Sequence, residues 1–219
     1  MTEPATGVVT FLLTDIEGST RMWEQTPEAM KTDLARHDQL LTRIIDERGG
    51  HLFKHTGDGV LALFGAPSQA VAAALTAQIA LADQVWSSGA NLKARMAIHT
   101  GEAEERNGDY FGPAVNRAAR LLDATHGGQV LISESTAGLI QDSMADGTSL
   151  IDLGEHRLKD LARAGRIYQL SHPSLEGAFP SLRSLEALPN NLPVQLTSFI
   201  GREDQLSRVE VPYSMSIGS

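Results

Sequence analysis

The chain has 219 residues, enough for one well-buried domain with an appendage. Hydrophobic residues make up 42% and charged residues 21%, a balance typical of globular proteins, and no apolar stretch reaches membrane-spanning length. The net charge of -9 argues against sequence-independent binding to DNA or to an anionic membrane, and the lack of cysteine excludes disulfides and thiolate metal sites. The first residues lack the features of a secretory signal, so we expect a cytoplasmic protein without nucleic-acid or membrane partners.

The first part of the chain alternates predicted strands with long predicted helices. Residues 8–14 are apolar and β-branched, as in a buried strand. Residues 27–48 form an amphipathic helix that opens on a proline and stops at two glycines. Residues 51–64 are predicted as two strands folded about Thr56-Gly57-Asp58-Gly59, and residues 68–86 as an alanine-rich helix.

The second part continues the same alternation. A charged loop is expected at residues 102–110, after a strand at 92–99. The order of elements predicts an α+β sandwich of helices on one mixed sheet. The remaining predicted elements are a helix at 113–126, a strand at 129–132, a short helix at 133–140, and strands at 150–153 and 166–170.

Two aspartates border the apolar strand-like runs. Asp15 follows the first run, and Asp58 lies in the turn between the next two. If the strands are neighbours, the two carboxylates meet at one edge of a sheet, which is how a protein holds Mg²⁺ beside a phosphate. The backbone carbonyl of Ile16 is a further candidate ligand, and Gly18 and Gly57 allow close approach of a phosphate. Alone, each aspartate would be interpreted as a turn residue; together they predict a metal site.

Four further polar residues suit a nucleotide. Asn116 and Arg120 are four residues apart on one predicted helix, so the amide can orient a ribose while the guanidinium holds phosphoryl oxygens. Lys54 can donate to N1 of adenine, and Asp109 can accept from its exocyclic amine. Guanine reverses both contacts, so this pair favours ATP over GTP. The set predicts chemistry on a nucleoside triphosphate.

Three segments carry a resemblance to a known family. FLLTDIEGST (11–20), FKHTGDGVL (53–61) and DYFGPAVNRAAR (109–120), in this order, closely resemble class III nucleotidyl cyclase catalytic domains. The resemblance covers about residues 8–170. It implies an α+β fold with a ferredoxin-like βαββαβ core, in which helices pack on a mixed, mainly antiparallel sheet.

The resemblance also implies a role for each candidate residue. In the family, two aspartates bind two Mg²⁺ or Mn²⁺ ions, a lysine–aspartate pair selects adenine, and an asparagine and an arginine bind ribose and stabilise the transition state. A further lysine binds the triphosphate. The matching residues are Asp15 and Asp58 for the metals, Lys54 and Asp109 for the base, Asn116 and Arg120 for the ribose and transition state, and Lys159, with Arg157 as its alternative, for the triphosphate.

The implied reaction is the conversion of ATP to 3′,5′-cyclic AMP and pyrophosphate. The 3′-hydroxyl of ATP attacks its own α-phosphorus, with Mg²⁺ or Mn²⁺ as cofactor. Family sites lie between two catalytic domains, one of which brings the metal aspartates and the other the nucleotide-binding residues. Because this chain has both sets, the resemblance implies a head-to-tail homodimer with two shared active sites.

The C-terminal part differs from the rest of the chain in composition and in hydrophobic pattern. Prolines and polar residues occur there without a periodic pattern, which predicts a cyclase domain over 1–171 and a partly disordered linker and tail over 172–219. Residues 190–203 resemble the opening of the ATPase domain in large bacterial transcriptional regulators that carry an N-terminal cyclase domain. That resemblance stops after Val209, and no GxxxxGK[ST] loop follows.

Two other functions compete with an active adenylate cyclase. One is a catalytically silent nucleotide-binding or dimerisation module that regulates a partner. Such a module is expected to have lost a metal or transition-state residue, and none is missing from this sequence. The other is a diguanylate cyclase, whose GG[DE]EF-type loop is absent.

Overall fold

The apolar runs of the sequence form the strands of one mixed sheet. The computed structural model describes residues 7–89, 91–141 and 143–187. Within these ranges, no helix combines the length and the apolar character needed to cross a membrane. The strands are β1 (Gly7–Ile16), β2 (His51–His55), β3 (Val60–Phe64), β4 (Ala94–Arg106), β5 (Asp109–Phe111), β6 (Val130–Ser133), β7 (Ser149–Arg157), β8 (Gly165–Ser171) and β9 (Glu186–Ala187).

Three of the described helices begin with proline, whose fixed φ and missing N–H suit the first helical position. The sequence did not predict the short helix α1, and it placed the end of α3 too late. After α3, the amides of Ser87 and Ser88 donate to the Asp33 carboxylate at 2.7 and 2.9 Å, which holds this segment in a non-helical conformation. The helices are α1 (Ser19–Gln25), α2 (Pro27–Glu47), α3 (Pro67–Ala82), α4 (Pro113–Ala124) and α5 (Glu134–Ile140).

The strand order confirms the predicted core. The sheet runs β2-β3-β1-β4-β6-β8-β7-β9, with β5 paired to β4. Its first four strands, joined through α2 and α3, follow the βαββαβ order of a ferredoxin-like unit. Strands β4 and β6 are parallel, and the other strand pairs of the described residues are antiparallel.

Alternation along β1 separates two packed layers. Leu12 and Ile16 lie in the core that α2 and α3 cover, whereas Phe11 and Leu13 lie in the core beneath α4. Asp15 follows the same alternation as Phe11 and Leu13. Its carboxylate therefore lies on the α4 face of the sheet, at the end of β1.

The segment at 102–110, expected to be a charged loop, is instead a hairpin. Strand β4 continues to Arg106, and the chain turns at Asn107 and Gly108, whose φ angles are +57° and +79°. Two consecutive residues with positive φ form the turn that suits a tight hairpin, and Asn-Gly is its strongest sequence signal. The loop prediction was wrong because it was based on the charged residues and not on the Asn-Gly dipeptide. The charges are compatible with a strand, since Arg106 pairs with Glu104 on its surface at 2.8 Å.

Residues 172–187 lie against the domain. Leu175 and Leu182 pack on its core clusters, and Lys93 pairs with Glu176 at 2.6 Å. The predicted linker and tail at 172–219 and the ATPase-like segment at 190–203 remain predictions, since residues 188–219 lie outside the described part of the chain.

His99 on β4 makes the stability of the fold sensitive to acid. The side chain is 5% exposed and its Nδ1 lies 2.8 Å from the Ser133 hydroxyl. Burial, followed by the charge of Arg117, lowers the pKa of His99 from 6.5 to about 4. The unfolded chain therefore takes up a proton between these two pH values while the folded chain does not. Stability present above pH 6.5 is lost as the pH falls towards 4.

We expect this single histidine to account for up to about 3 kcal/mol of acid destabilisation, at 1.36 kcal/mol for each pKa unit. Urea unfolding of the native chain and of His99→Gln at pH 7 and pH 4.5 measures it. The glutamine can still bond Ser133 but does not titrate, so its free energy of unfolding should fall less. Equal losses in the two proteins would show that other groups dominate.

Candidate active site

Asp15 and Asp58 meet at one end of the sheet, as the sequence predicted. Asp15 lies on β1 rather than in a tight turn, and Asp58 lies in the β2–β3 turn. The Ile16 amide donates to the Asp58 carbonyl at 3.2 Å, which fastens the turn to the end of β1. The Ser19 hydroxyl donates to the Asp58 carboxylate. The Ile16 side chain is buried in the core, so only its backbone can act at the site.

Gly59 permits this approach of the turn to β1. A methyl group there would lie 1.9 Å from the Thr14 carbonyl oxygen, a backbone atom that cannot move aside cheaply. The next amide, of Val60, donates to the Thr14 hydroxyl at 3.1 Å. The position of Asp58 therefore depends on the next residue, Gly59, having no side chain.

Gly59→Ala should lower the free energy of unfolding by about 3 kcal/mol or more, because the methyl group forces β1 and the turn apart. Gly57→Ala is the matched control. Gly57 has φ +90° but no atom within 4 Å of the added carbon, so only the conformational cost of about 1–2 kcal/mol applies. Urea unfolding measures both. Equal losses would assign the effect to turn conformation rather than to contact with Thr14.

The charges at this end of the sheet are closely balanced. Burial raises the pKa of the Asp15 carboxyl above its usual value, and the neighbouring Asp58 raises it further. Arg95, directly opposite Asp15 on β4, opposes both effects: its Nε and Nη2 lie 2.6 and 2.5 Å from Asp15 Oδ2. The ion pair is half-buried. Arg95 was not among the predicted site residues, although the alternation of β4 places it on the same face of the sheet as His99.

Asp15, Asp58 and the Ile16 carbonyl fit a hard divalent cation. Carboxylate and carbonyl oxygens are the ligands that Mg²⁺ and Mn²⁺ prefer. A cation would also relieve the repulsion that raises the pKa of Asp15. Among residues 7–89, 91–141 and 143–187, no cluster of three or more acidic, histidine or cysteine side chains is placed to hold a metal.

Lys54 and Asp109 are in direct contact. Lys54, on β2, donates to the Asp109 carboxylate, and this bond lowers the pKa of Asp109. The β4–β5 hairpin makes the contact possible, because Tyr110 packs on Phe11 and Phe53 with ring centroids 6.3 and 4.9 Å away. The hairpin thus curls over the α4 face and carries Asp109 back to β2.

Asn116 and Arg120 lie on the outer part of α4. Asn116 is exposed, and Arg120 is about one-third exposed with Nη1 3.0 Å from Asp123 and Nη2 2.8 Å from Asp160. Lys159 is exposed in the turn after β7, next to Asp160. No contact among the described residues joins Asn116, Arg120 or Lys159 to Asp15 or Asp58. One chain therefore keeps the Asp15–Asp58 set apart from the set formed by Asn116, Arg120 and Lys159. Among the described residues, no hydrogen bond or ion pair joins the Lys54–Asp109 pair to either set.

Arg183 connects α4 to the end of the sheet where Asp15 and Asp58 lie. Its Nη2 lies 2.8 Å from Glu17 Oε1, and its amide donates to the Ala124 carbonyl at 3.4 Å. Glu17 follows Ile16, and Ala124 ends α4. No local pattern predicts this link, because Arg183 is distant from Glu17 in the chain and lies in the segment expected to be a linker.

A family model and several related sequences match this chain. The model of the adenylate and guanylate cyclase catalytic domain matches residues 1–171. An uncharacterized protein of Mycobacterium tuberculosis is 40% identical over 207 residues, covering 93% of this chain and 70% of that protein. An adenylate cyclase of Podospora anserina is 29% identical over 227 residues, covering 78% of this chain but only 11% of that enzyme.

Solved structures confirm the predicted fold. Trypanosoma brucei adenylate cyclase, solved as a monomer, superposes with a TM-score of 0.73 at 24% identity, covering 84% of this chain and 98% of that one. An adenylyl cyclase of P. aeruginosa gives 0.62 at 26% identity, covering 78% and 97%. These are class III cyclase domains of the same α+β architecture. This chain therefore belongs to the adenylate and guanylate cyclase catalytic domain family.

Proposed function

We propose that the protein is an adenylate cyclase that converts ATP to 3′,5′-cyclic AMP and pyrophosphate. The observation that carries the choice of ATP is the Lys54–Asp109 contact. An ammonium donor and a carboxylate acceptor, side by side, match N1 and the exocyclic amine of adenine. Guanine would set its own N1–H against the lysine and its O6 against the carboxylate, which leaves two charges wrongly paired.

The metal-binding part of the proposal rests on Asp15, Asp58 and the Ile16 carbonyl, which would hold two Mg²⁺ or Mn²⁺ ions. When bound, these ions would lower the pKa of the 3′-hydroxyl and neutralise charge on the phosphates. The protein's own contribution is to keep two carboxylates close together through the Gly59 contact and the Ser19 bond. Arg95 would keep Asp15 ionised despite its burial.

The residues of α4 and of the β7–β8 turn supply the other half of the proposed site. Asn116 would orient the ribose, and Arg120 would stabilise charge that develops on the α-phosphoryl group. Lys159, exposed in the same turn as Asp160, would bind the triphosphate. Arg120 must exchange its partners Asp123 and Asp160 for phosphate oxygens when substrate binds.

The homodimer follows from the separation of the two sets. Among the residues that the structure describes, no hydrogen bond or ion pair joins Asp15 or Asp58 to Asn116 or Arg120, and the Asn116 side chain is exposed. A head-to-tail pair of identical chains places the first set of each protomer against the second set of the other. Closed two-fold symmetry then generates two equivalent sites.

A silent nucleotide-binding module is the second candidate, and one observation favours it. The guanidinium of Arg120 is already bound by two carboxylates. A cyclase must release it, whereas a module that only binds nucleotide need not.

The decisive test is a cyclase assay on the purified chain with ATP or GTP, each with Mg²⁺ or Mn²⁺, at several protein concentrations. We expect cyclic AMP from ATP at a rate that rises faster than linearly with protein concentration, because the active species is a dimer. Cyclic GMP from GTP as the main product would overturn the assignment of ATP. ATP binding without any cyclic product would favour the silent module.

Asp109→Asn should reduce the preference for ATP over GTP by about tenfold or more, since the amide can donate to O6 of guanine as well as accept from adenine. The ratio of kcat/KM for the two nucleotides measures it. Glu105→Gln, on the same hairpin, is the matched control and should leave the ratio unchanged. An unaltered ratio in Asp109→Asn would remove Asp109 from base recognition.

A further inference from the structure

A cavity of about 240 Å³ lies between α4 and the β7–β8 hairpin. Its apolar wall includes Leu121, Leu158 and Ile167, which belong to one buried cluster on the α4 face of the sheet. Two α4 residues, Arg117 and Leu121, line the cavity, and Arg117 is turned about 100° around the helix from Asn116 but only about 60° from Arg120. The cavity therefore lies beside Arg120 on α4 and is turned away from Asn116.

The charge around the cavity is positive and only partly paired. Arg117, Arg163 and Arg166 all line it. Arg166 pairs with Asp152 at 3.3 Å, but neither Arg117 nor Arg163 makes a hydrogen bond or ion pair with another residue in the described part of the chain. Glu134 is the one carboxylate among the lining residues of this cavity. Two unpaired guanidinium groups against one carboxylate leave a surplus of about one positive charge, which suits a monoanion.

The floor of the cavity adds hydroxyl groups. Ser133 and Ser135 line it, and Ser133 is 9% exposed, with its hydroxyl 3.1 Å from that of Ser135 and 2.8 Å from Nδ1 of His99. The lowered pKa of His99 keeps this imidazole neutral at pH 7. Ser135 donates to the Thr100 carbonyl at 2.8 Å, so it is the Ser133 hydroxyl that can donate to an acid head group. The leucine and isoleucine side chains accept an apolar body. The cavity volume of about 240 Å³ is far above the roughly 10–15 Å³ that a single water molecule requires, so a small organic molecule has room in it.

We propose that this cavity binds a small organic monoanion, a carboxylate with an aliphatic or aromatic body of about eight non-hydrogen atoms. Arg117 and Arg163 hold the carboxylate, and the apolar wall holds the body. A phosphate monoester fits less well, because its second charge would face Glu134 without a counter-ion, and an inorganic anion leaves the apolar wall uncovered.

The position of the cavity makes the ligand a regulator of the proposed cyclase. Arg117 directly follows Asn116 on α4, and Leu158 directly precedes Lys159 on the hairpin. A bound anion joins these two elements and so fixes the relative placement of the residues proposed to bind ribose and triphosphate. This regulatory role rests on the proposed function, whereas binding of the anion does not.

Binding is tested with hexanoate at constant ionic strength, by NMR titration or calorimetry of the full chain. We expect a Kd of about 1 mM or tighter, as a ligand of this size can reach. Arg117→Gln and Arg163→Gln should each weaken binding about tenfold or more. Arg43→Gln, on α2 at the other face of the sheet, removes the same charge and should bind as the native chain does. Circular dichroism and thermal unfolding establish that each variant is folded.

Three results would overturn the proposal. Hexanol binding as tightly as hexanoate would show an apolar cavity without anion recognition, and no binding of hexanoate below 10 mM would refute the site. Displacement of hexanoate by a non-cyclisable ATP analogue would make the cavity part of the nucleotide site.

In the cyclase assay, hexanoate should change kcat in the native chain and not in Arg117→Gln. Hexanoate binding to a chain without cyclase activity would reject the proposed function and leave the anion site intact.

Discussion

Replacing Asp58 with asparagine is expected to lower the rate of cyclic AMP formation by roughly a thousandfold. The amide has nearly the size of the carboxylate and can still accept from Ser19, so the turn is retained. What is lost is the negative charge proposed to hold the metal ions, which contribute several kcal/mol to transition-state stabilisation. Steady-state rates at saturating ATP and Mn²⁺ measure the effect.

The control for this substitution is Asp46→Asn, which removes the same charge from an exposed position on α2. It should keep native activity. Mn²⁺ binding, followed by electron paramagnetic resonance without nucleotide, should weaken in Asp58→Asn and not in Asp46→Asn. Native turnover by Asp58→Asn would remove this residue from the metal site and leave the carboxylate pair without the proposed role.

Mixing two inactive variants is expected to restore about one quarter of native activity. Asp58→Asn lacks the first set of residues, and Arg120→Gln lacks the second. If subunits exchange at random, half of the dimers contain one chain of each kind. In such a dimer, one of the two sites receives an intact Asp58 and an intact Arg120, while the other site receives both defects.

The complementation has a built-in control. A mixture of Asp15→Asn with Asp58→Asn should not restore activity. Both variants belong to the first set, so every site then lacks one of the two carboxylates proposed to bind the metal ions. Activity is measured after equilibration at high protein concentration. Absence of rescue in the first mixture, when size-exclusion chromatography shows mixed dimers, would contradict sites shared between subunits.

Local sequence features predicted much of the architecture. Strict apolar patterning and the prolines at helix starts located most elements, because each such signal acts within a few residues. The ferredoxin-like order entered through the resemblance of three motifs, and the structure bears it out. The errors were also local: the Asn107-Gly108 hairpin signal was passed over in favour of charge, and α3 was extended past Ala82. There, the distant carboxylate of Asp33 determines the conformation.

The sequence by itself determined which groups are present: two carboxylates beside apolar strands, a lysine and an aspartate of opposite charge, and an amide and a guanidinium one helical turn apart. Tertiary structure alone decided which of these meet. It set Arg95 against Asp15 across a strand pair, brought Asp109 to Lys54 through the curvature of a hairpin, and brought Asp160 to Arg120. Strand register and twist fix such contacts. Both depend on packing over the whole sheet, so no stretch of sequence specifies them alone.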